Sequence, residues 1–326
     1  MSERLRHALP TALLAGAMLI SGCASSGNDP KADSQPTSSA PGARPSPSTV
    51  LPDGIVKPGT ALPVGDGAWT VTLQGLERLP DETVPGVPAG SSAYTSRVTV
   101  ANQRAQVATA PKTAVTARYG ALGRTAAEGT AKNTPSSGDG PQQVRPNGSV
   151  DRDLRLILPD QAQGLPVTVT VEATEEGLAE PELLFFEATL PGGAAATPDP
   201  QAPQGAPASH SARPLGQWND HVRVGEVTVS GEGASRTGSL ELSVVNRSGG
   251  PMPGLGTTLR ILTGPDLQLT ATVRPVYGYR DAAIAPYRTA TQSVSFRIPE
   301  AAVGGPVTVE ALDAGGSRVT FEGRLG

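Results

Sequence analysis

The chain is poor in the residues that most often carry chemistry. Its 326 residues include one cysteine and three histidines, and only 3% are aromatic. A single cysteine leaves no intramolecular disulfide, so any folded unit must stand on hydrophobic burial alone. His7 falls in the N-terminal segment and His210 in a proline-rich stretch, which leaves His221 by itself. No cluster of His, Cys and carboxylates has zinc or copper spacing. The Ser-x-x-Lys and Gly-x-Ser-x-Gly patterns are absent, and no glycine-rich loop leads into a helix to cradle a phosphate. The sequence therefore predicts no catalytic residue, no metal and no cofactor, in a protein that is not an enzyme. Lysine is scarce and the net charge is −4. No basic patch follows a phosphate backbone, so nucleic acid is not an expected partner. No apolar run downstream of the N-terminal segment approaches the ~20 residues of a membrane-spanning helix, so none is expected in the mature chain.

What is present begins with that one cysteine. Arg4 and Arg6 form a basic start, Ala8 to Ile20 is mostly apolar, and Ser21-Gly22 precede Cys23. The apolar stretch of about 13 residues suits an export signal and is short for a bilayer span. Leu19-Ile20-Ser21-Gly22-Cys23 resembles a bacterial lipobox. That resemblance implies a signal peptide over 1–22, a diacylglycerol on the Cys23 sulfur, cleavage before it, and a palmitate-type lipoprotein. Its place is then the extracytoplasmic face of the cell membrane, its first partner the membrane itself. Two acyl chains anchor stably at ~0.8 kcal/mol per buried methylene.

Gly (39 residues) and Pro (32 residues) are abundant but concentrated. Residues 23–56 are rich in Ser, Pro, Ala and Gly without apolar periodicity. They cannot repay the entropy of ordering and read as a disordered tether, with a reach of roughly 30 Å. A similar Pro/Ala-rich stretch over 191–214 reads as a linker. It separates a first domain, 57–190, from a second, 215–326. Within the first, Gly120 to about Asn147 reads as a disordered connection, with Leu122 and Val144 its only branched aliphatics. The acidic run Glu172, Glu175, Glu176, Glu180 and Glu182 reads as a solvated loop between strands.

The two domains repeat each other. Arg97-Val98-Thr99-Val100-Ala101-Asn102 parallels Leu242-Ser243-Val244-Val245-Asn246. The run from Val150 to Pro159 parallels Ala290 to Pro299, Gly164-Leu165-Pro166-Val167 parallels Gly304-Gly305-Pro306-Val307, and Phe186-Glu187 parallels Phe321-Glu322. Several blocks in one order and similar spacing argue for duplication. The blocks alternate apolar with polar, the period of half-buried strands. Val98 and Val100 should point inward, as should Leu154, Leu156 and Leu158. Asp151 and Asp153 share an outer face. Asn102 and Asn246 should end strands where the backbone turns, which suits a side chain tolerant of left-handed conformation. Six or seven strands per domain predict an all-β protein of two tandem immunoglobulin-like β-sandwiches.

The strand ending in Asn102 or Asn246 and the later strand running into Pro159 or Pro299 carry a family likeness. Each domain resembles the telokin-like, immunoglobulin-like domain of unknown function found in Gram-positive lipoproteins. The second domain departs from it, with Tyr287-Arg288-Thr289 in place of Asn147-Gly148-Ser149. The resemblance implies fold and address; that family has no established activity to lend.

One segment breaks the aromatic poverty. Tyr277, Tyr279 and Tyr287, three of five tyrosines, lie interleaved with Arg274, Arg280 and Arg288. Tyrosine and arginine dominate interaction hot spots. Tyr277, Tyr279, Arg280 and Tyr287 are therefore the expected contact surface for an envelope protein or glycan. If they pack inward instead, the chain is a structural spacer or the accessory subunit of a secreted enzyme or transporter.

Overall fold

The computed structural model describes residues 51–80, 86–126, 142–176, 180–192, 211–233, 236–253, 257–273, 283–312 and 317–326. The signal peptide, Cys23, most of the expected tether, and Tyr277, Tyr279 and Arg280 lie outside the described residues. The protein is all-β with several sheets. Twelve strands form a first set: β1 (Ile55–Val56), β2 (Ala61–Val64), β3 (Trp69–Leu73), β4 (Glu77–Arg78), β5 (Ser91–Asn102), β6 (Ala108–Thr109), β7 (Lys112–Tyr119), β8 (Arg124–Thr125), β9 (Gln143–Val144), β10 (Ser149–Pro159), β11 (Pro166–Thr174) and β12 (Glu182–Thr189). Twelve more repeat them: β13 (Arg213–Pro214), β14 (Trp218–Asn219), β15 (Val222–Val224), β16 (Thr228–Ser230), β17 (Thr237–Val245), β18 (Met252–Pro253), β19 (Thr258–Thr263), β20 (Gln268–Val273), β21 (Ala283–Ile284), β22 (Thr289–Arg297), β23 (Pro306–Leu312) and β24 (Arg318–Arg324).

Each set is a sandwich, and the pairings correspond strand for strand. In the first, β10-β5-β3-β2 faces β1-β12-β11-β7-β8; in the second, β22-β17-β15-β14 faces β13-β24-β23-β19-β20. β4 and β16 add to β5 and β17, and β6·β9 is matched by β18·β21. β1 and β13 run parallel to the last strand of their sandwich, Ile55 opposite Phe185 and Arg213 opposite Phe321. The strands thus begin slightly before position 57 and position 215, inside the expected tether and linker.

Alternation places the core. Along β3, Trp69, Val71 and Leu73 are buried while Thr70 and Thr72 are not. Val98, Val100, Leu154, Leu156 and Leu158 join them with Tyr94 and Phe186 in one cluster. Leu242, Leu259, Ile261, Val309 and Phe321 form a separate one in the second sandwich. Each buried Val, Leu or Phe contributes about 1.5–3 kcal/mol relative to exposure, which is how two cysteine-free units hold.

Asn102 ends β5 and Asn246 directly follows β17, as expected, but neither takes a left-handed conformation. Both are buried, with side chains acting as pins. Asn102 Nδ2 donates to the carbonyls of Gln106 (2.9 Å), Val144 (2.9 Å) and Arg145 (3.3 Å), while Oδ1 accepts from the Arg104 N–H at 2.9 Å. Asn246 Nδ2 donates to Gly250 (2.8 Å), Ile284 (2.9 Å) and Ala285 (3.1 Å), and its Oδ1 accepts from the Ser248 N–H at 2.9 Å. Each amide closes the loop that follows its own strand against the connection entering β10 or β22.

The acidic run is only partly a solvated loop. Glu175 pairs with Arg104, whose guanidinium lies 6.0 Å from the Trp69 ring centroid. Glu182 Oε1 accepts from the Gly65 N–H at 2.7 Å. Asp151 and Asp153 do stand on the surface, both paired with Arg97.

Candidate functional site

The connection from Gly120 is the largest correction to the sequence reading. Residues 120–126 and 142–147 are built into the structure; 127–141 lie outside the described residues. Tyr119 and Arg124 pair across a tight β7–β8 turn, in which the Gly123 N–H reaches the Gly120 carbonyl at 3.0 Å. This hairpin projects from the first sandwich onto the second. Arg124 pairs with Thr291 in parallel, so β8 and β22 fuse two sheets into one of ten strands. The Thr291 N–H donates to the Gly123 carbonyl at 3.1 Å, and Thr291 Oγ1 to the Leu122 carbonyl at 2.6 Å. Thr291 Oγ1 also meets Ser243 Oγ at 2.7 Å. Leu122 is fully buried.

Charged side chains rim the seam. Arg124 forks onto Glu241, Nε to Oε1 at 3.1 Å and Nη2 to Oε2 at 3.4 Å. Arg118 Nη1 donates to the Ala283 carbonyl at 2.6 Å. Arg288 grips Glu187 Oε2 through Nε at 2.7 Å and Nη2 at 2.6 Å. Part-exposed pairs of this kind contribute about 0–1 kcal/mol each, so they set register more than strength. A small apolar cluster of Ile55, Phe185 and Ala285, with Leu51 and Leu183 beside it, plugs the same side. Ile55 lies in β1, at the end of the expected tether, and Ala285 belongs to the second sandwich, so this strand packs against both.

Tyr287 lies in the turn between β21 and β22, two residues after Ala285 in the chain. It is 51% exposed and has φ 54°. Asn147 occupies the equivalent turn of the first sandwich at φ 55°. Asparagine tolerates this left-handed conformation, whereas a bulky side chain there is strained. Such strain costs about 1–3 kcal/mol and gathers at binding sites. Tyr287→Gly should therefore stabilise the second sandwich by about 1 kcal/mol, read as a higher urea midpoint; an unchanged or lower midpoint would show that the tyrosine is not strained.

The remaining polar cluster is a turn clamp. His221 Nδ1 lies 2.6 Å from Asp220 Oδ2, and Arg247 reaches Asp220 through Oδ1 at 2.7 Å and the main-chain carbonyl at 2.8 Å. Burial pushes the Asp220 carboxyl up, but the hydrogen bonds and charges of His221 and Arg247 outweigh it and hold it below the usual range. The group fixes the β14–β15 turn, where Asp220 has φ 54°, to the chain leaving β17. Among the described residues no group of three His, Cys, Asp or Glu side chains could hold a metal ion, and no helix is long and apolar enough to cross a membrane.

Sequence reasoning missed Leu122, Gly123, Arg124, Glu187, Glu241 and Thr291. The available signal was Leu122 itself, an isolated large aliphatic in a Gly/Ala-rich run.

The fold and seam define a two-sandwich all-β protein. The chain is similar to an uncharacterized β-sandwich protein from Clostridium difficile 630, with 15% identity over 44% of this chain and 99% of that one, at a TM-score of 0.26. A scan of protein-family models and a search of curated proteins give no match.

Proposed function

We propose that this chain is a lipid-anchored binding protein of the bacterial cell envelope, non-enzymatic, with its contact surface around Tyr287. The lipobox-like run ending in Cys23 supports a lipoprotein on the extracytoplasmic face of the membrane. The likeness to telokin-like lipoprotein domains points the same way. The observation that carries the binding role is Tyr287 itself, a large aromatic held exposed in a left-handed turn where asparagine stands in the sister domain. Tyr277, Tyr279 and Arg280 lie a few residues upstream in sequence and extend the surface in this reading. The partner is an envelope protein or glycan.

Two experiments test the two halves. Cys23→Ser should release the protein into the medium or leave it unprocessed; stable membrane retention of a processed Cys23→Ser protein would overturn the anchor. For the surface, the full chain carrying Cys23→Ser is cross-linked to envelope proteins and glycans of the source organism. Tyr287→Gly, and Tyr277→Ala with Tyr279→Ala, run beside it. A partner captured by the parent and lost in these folded variants supports the reading. Capture of nothing by any of them supports a spacer instead, a role that the continuous sheet across the seam would suit.

A further inference from the structure

The repeat makes the seam comparable with two places where the same junction could form again. The β19–β20 turn of the second sandwich has the geometry of the β7–β8 turn. Thr263 pairs with Gln268 as Tyr119 pairs with Arg124, and the Leu267 N–H reaches the Gly264 carbonyl at 3.1 Å. Gly120 and Gly264 both have positive φ, as do Gly123 (59°) and Leu267 (48°). The second sandwich therefore carries the projecting hairpin as well. The first sandwich carries the receiving edge: β10 corresponds to β22 and is the outermost strand of its sheet. Repeating one head-to-tail contact between copies would give an open filament.

Residue by residue, both places are closed. On the hairpin, a Cβ at Gly123 would lie 1.7 Å from the Thr289 carbonyl oxygen, and the equivalent position is Leu267. Buried Leu122 is matched by exposed Asp266, and Arg124 by Gln268. A register shift at Ile261/Leu262 also bends β20 next to the turn, a device that blunts strand edges. On the receiving side, Thr291 is matched by Asp151 and Glu241 by Arg97. Thr291 donates to a carbonyl at the seam; an ionised Asp151 has no proton to donate and would repel one. Arg97 would face the incoming arginine. Asp151 is satisfied instead within its own sheet by Thr99 Oγ1 at 2.8 Å and by Arg97.

We propose that these positions form a docking code: a Leu-Gly-Arg hairpin tip fits only a receiving edge that bears Thr and Glu, as Thr291 and Glu241 do here, and the described residues carry one matched pair and one mismatched pair. The matched pair locks the first sandwich onto the second. The mismatched pair, Asp266-Leu267-Gln268 against Asp151 and Arg97, stops the same contact from recurring between copies. The hairpin tip and receiving edge are thus a specific interaction surface whose fitting partner is the other half of this chain.

The test uses the full chain carrying Cys23→Ser, followed by sedimentation velocity over a concentration series. The parent should remain a monomer throughout. Converting the mismatched pair to the code (Asp266→Leu, Leu267→Gly, Gln268→Arg, Asp151→Thr, Arg97→Glu) should produce species of increasing mass as concentration rises. Reverting Leu267→Gly alone in that background should abolish them. The complementary variant, Thr291→Asp at the working seam, should increase the radius of gyration in solution scattering without loss of β circular dichroism. A folded converted chain that stays monomeric would overturn the code. So would a parent that assembles, or a Thr291→Asp chain with an unchanged radius of gyration.

Discussion

Gly123→Val separates the two sandwiches while leaving each folded. The Cβ of any larger residue would sit 1.7 Å from the Thr289 oxygen and 2.6 Å from its carbonyl carbon. Both are main-chain atoms of β22, which is paired along its other edge with β17, so neither can yield by a side-chain rotation. The left-handed φ of 59° adds about 1–2 kcal/mol of strain for a non-glycine residue. The hairpin must withdraw. Withdrawal loses both hydrogen bonds made by Thr291 to the Leu122 and Gly123 carbonyls, worth about 0.5–1.5 kcal/mol each. It also exposes Leu122, at about 1.5–3 kcal/mol, and releases the Arg124–Glu241 fork. The cores of the two sandwiches are separate clusters, so the loss falls on the seam. The expected result is a larger radius of gyration, faster hydrogen exchange at the Thr291 amide, and thermal unfolding that splits into two transitions. A single transition with an unchanged radius of gyration would show that the seam does not depend on the close approach at Gly123.

The contrast between what the sequence foretold and what it hid follows element length. β3, β5, β10, β11, β17, β22 and β23 are long enough to show period-two alternation in β-branched and aliphatic residues, and Val98, Val100, Leu154, Leu156 and Leu158, expected to point inward, are all buried. Two-residue strands have no period. β1, β8 and β13 exist because a partner edge is nearby, and that is information about tertiary structure. Polar residues misled for a related reason. Asn246 ends a strand and reads as a turn former, but burial turns its amide into a pin; Glu175 and Glu182 sit in an acidic run, yet each finds a partner distant in sequence. Tyr287 stood out in the sequence by residue type alone. Its left-handed backbone was hinted at only by Asn147 at the matching place, which needs the repeat to be seen first. The seam was least legible because its key residue is a glycine in a glycine-rich stretch, where no side chain marks the one position that must lack a Cβ.

The largest chemical effect from the smallest change in shape is expected at Asn246. Asn246→Asp keeps the side-chain outline but removes both amide protons and adds a charge. Three carbonyls, those of Gly250, Ile284 and Ala285, then face a carboxylate oxygen in a buried site. Leaving such groups unsatisfied costs about 1–3 kcal/mol apiece, and a buried unpaired charge costs more. The site answers by holding the new carboxyl protonated, which raises its folded pKa above the ordinary aspartate value of about 3.9. The folded state then binds more protons than the unfolded state between those two values, so stability falls as pH rises through that window. At pH 7 the second sandwich should be destabilised by about 3–5 kcal/mol. Near pH 4 the protonated acid can donate one hydrogen bond again, and part of the loss should return. Asn246→Ala should also destabilise, through its unsatisfied carbonyls, but adds no titrating group, so its difference from the parent should stay flat with pH. Urea midpoints of both variants and the parent across this pH range decide the matter. An Asn246→Asp deficit as flat as that of Asn246→Ala would mean that water reaches the pin. The three carbonyls would then be solvated, and the loop closed by its backbone pairing, Met252 with Ile284, without need of the amide.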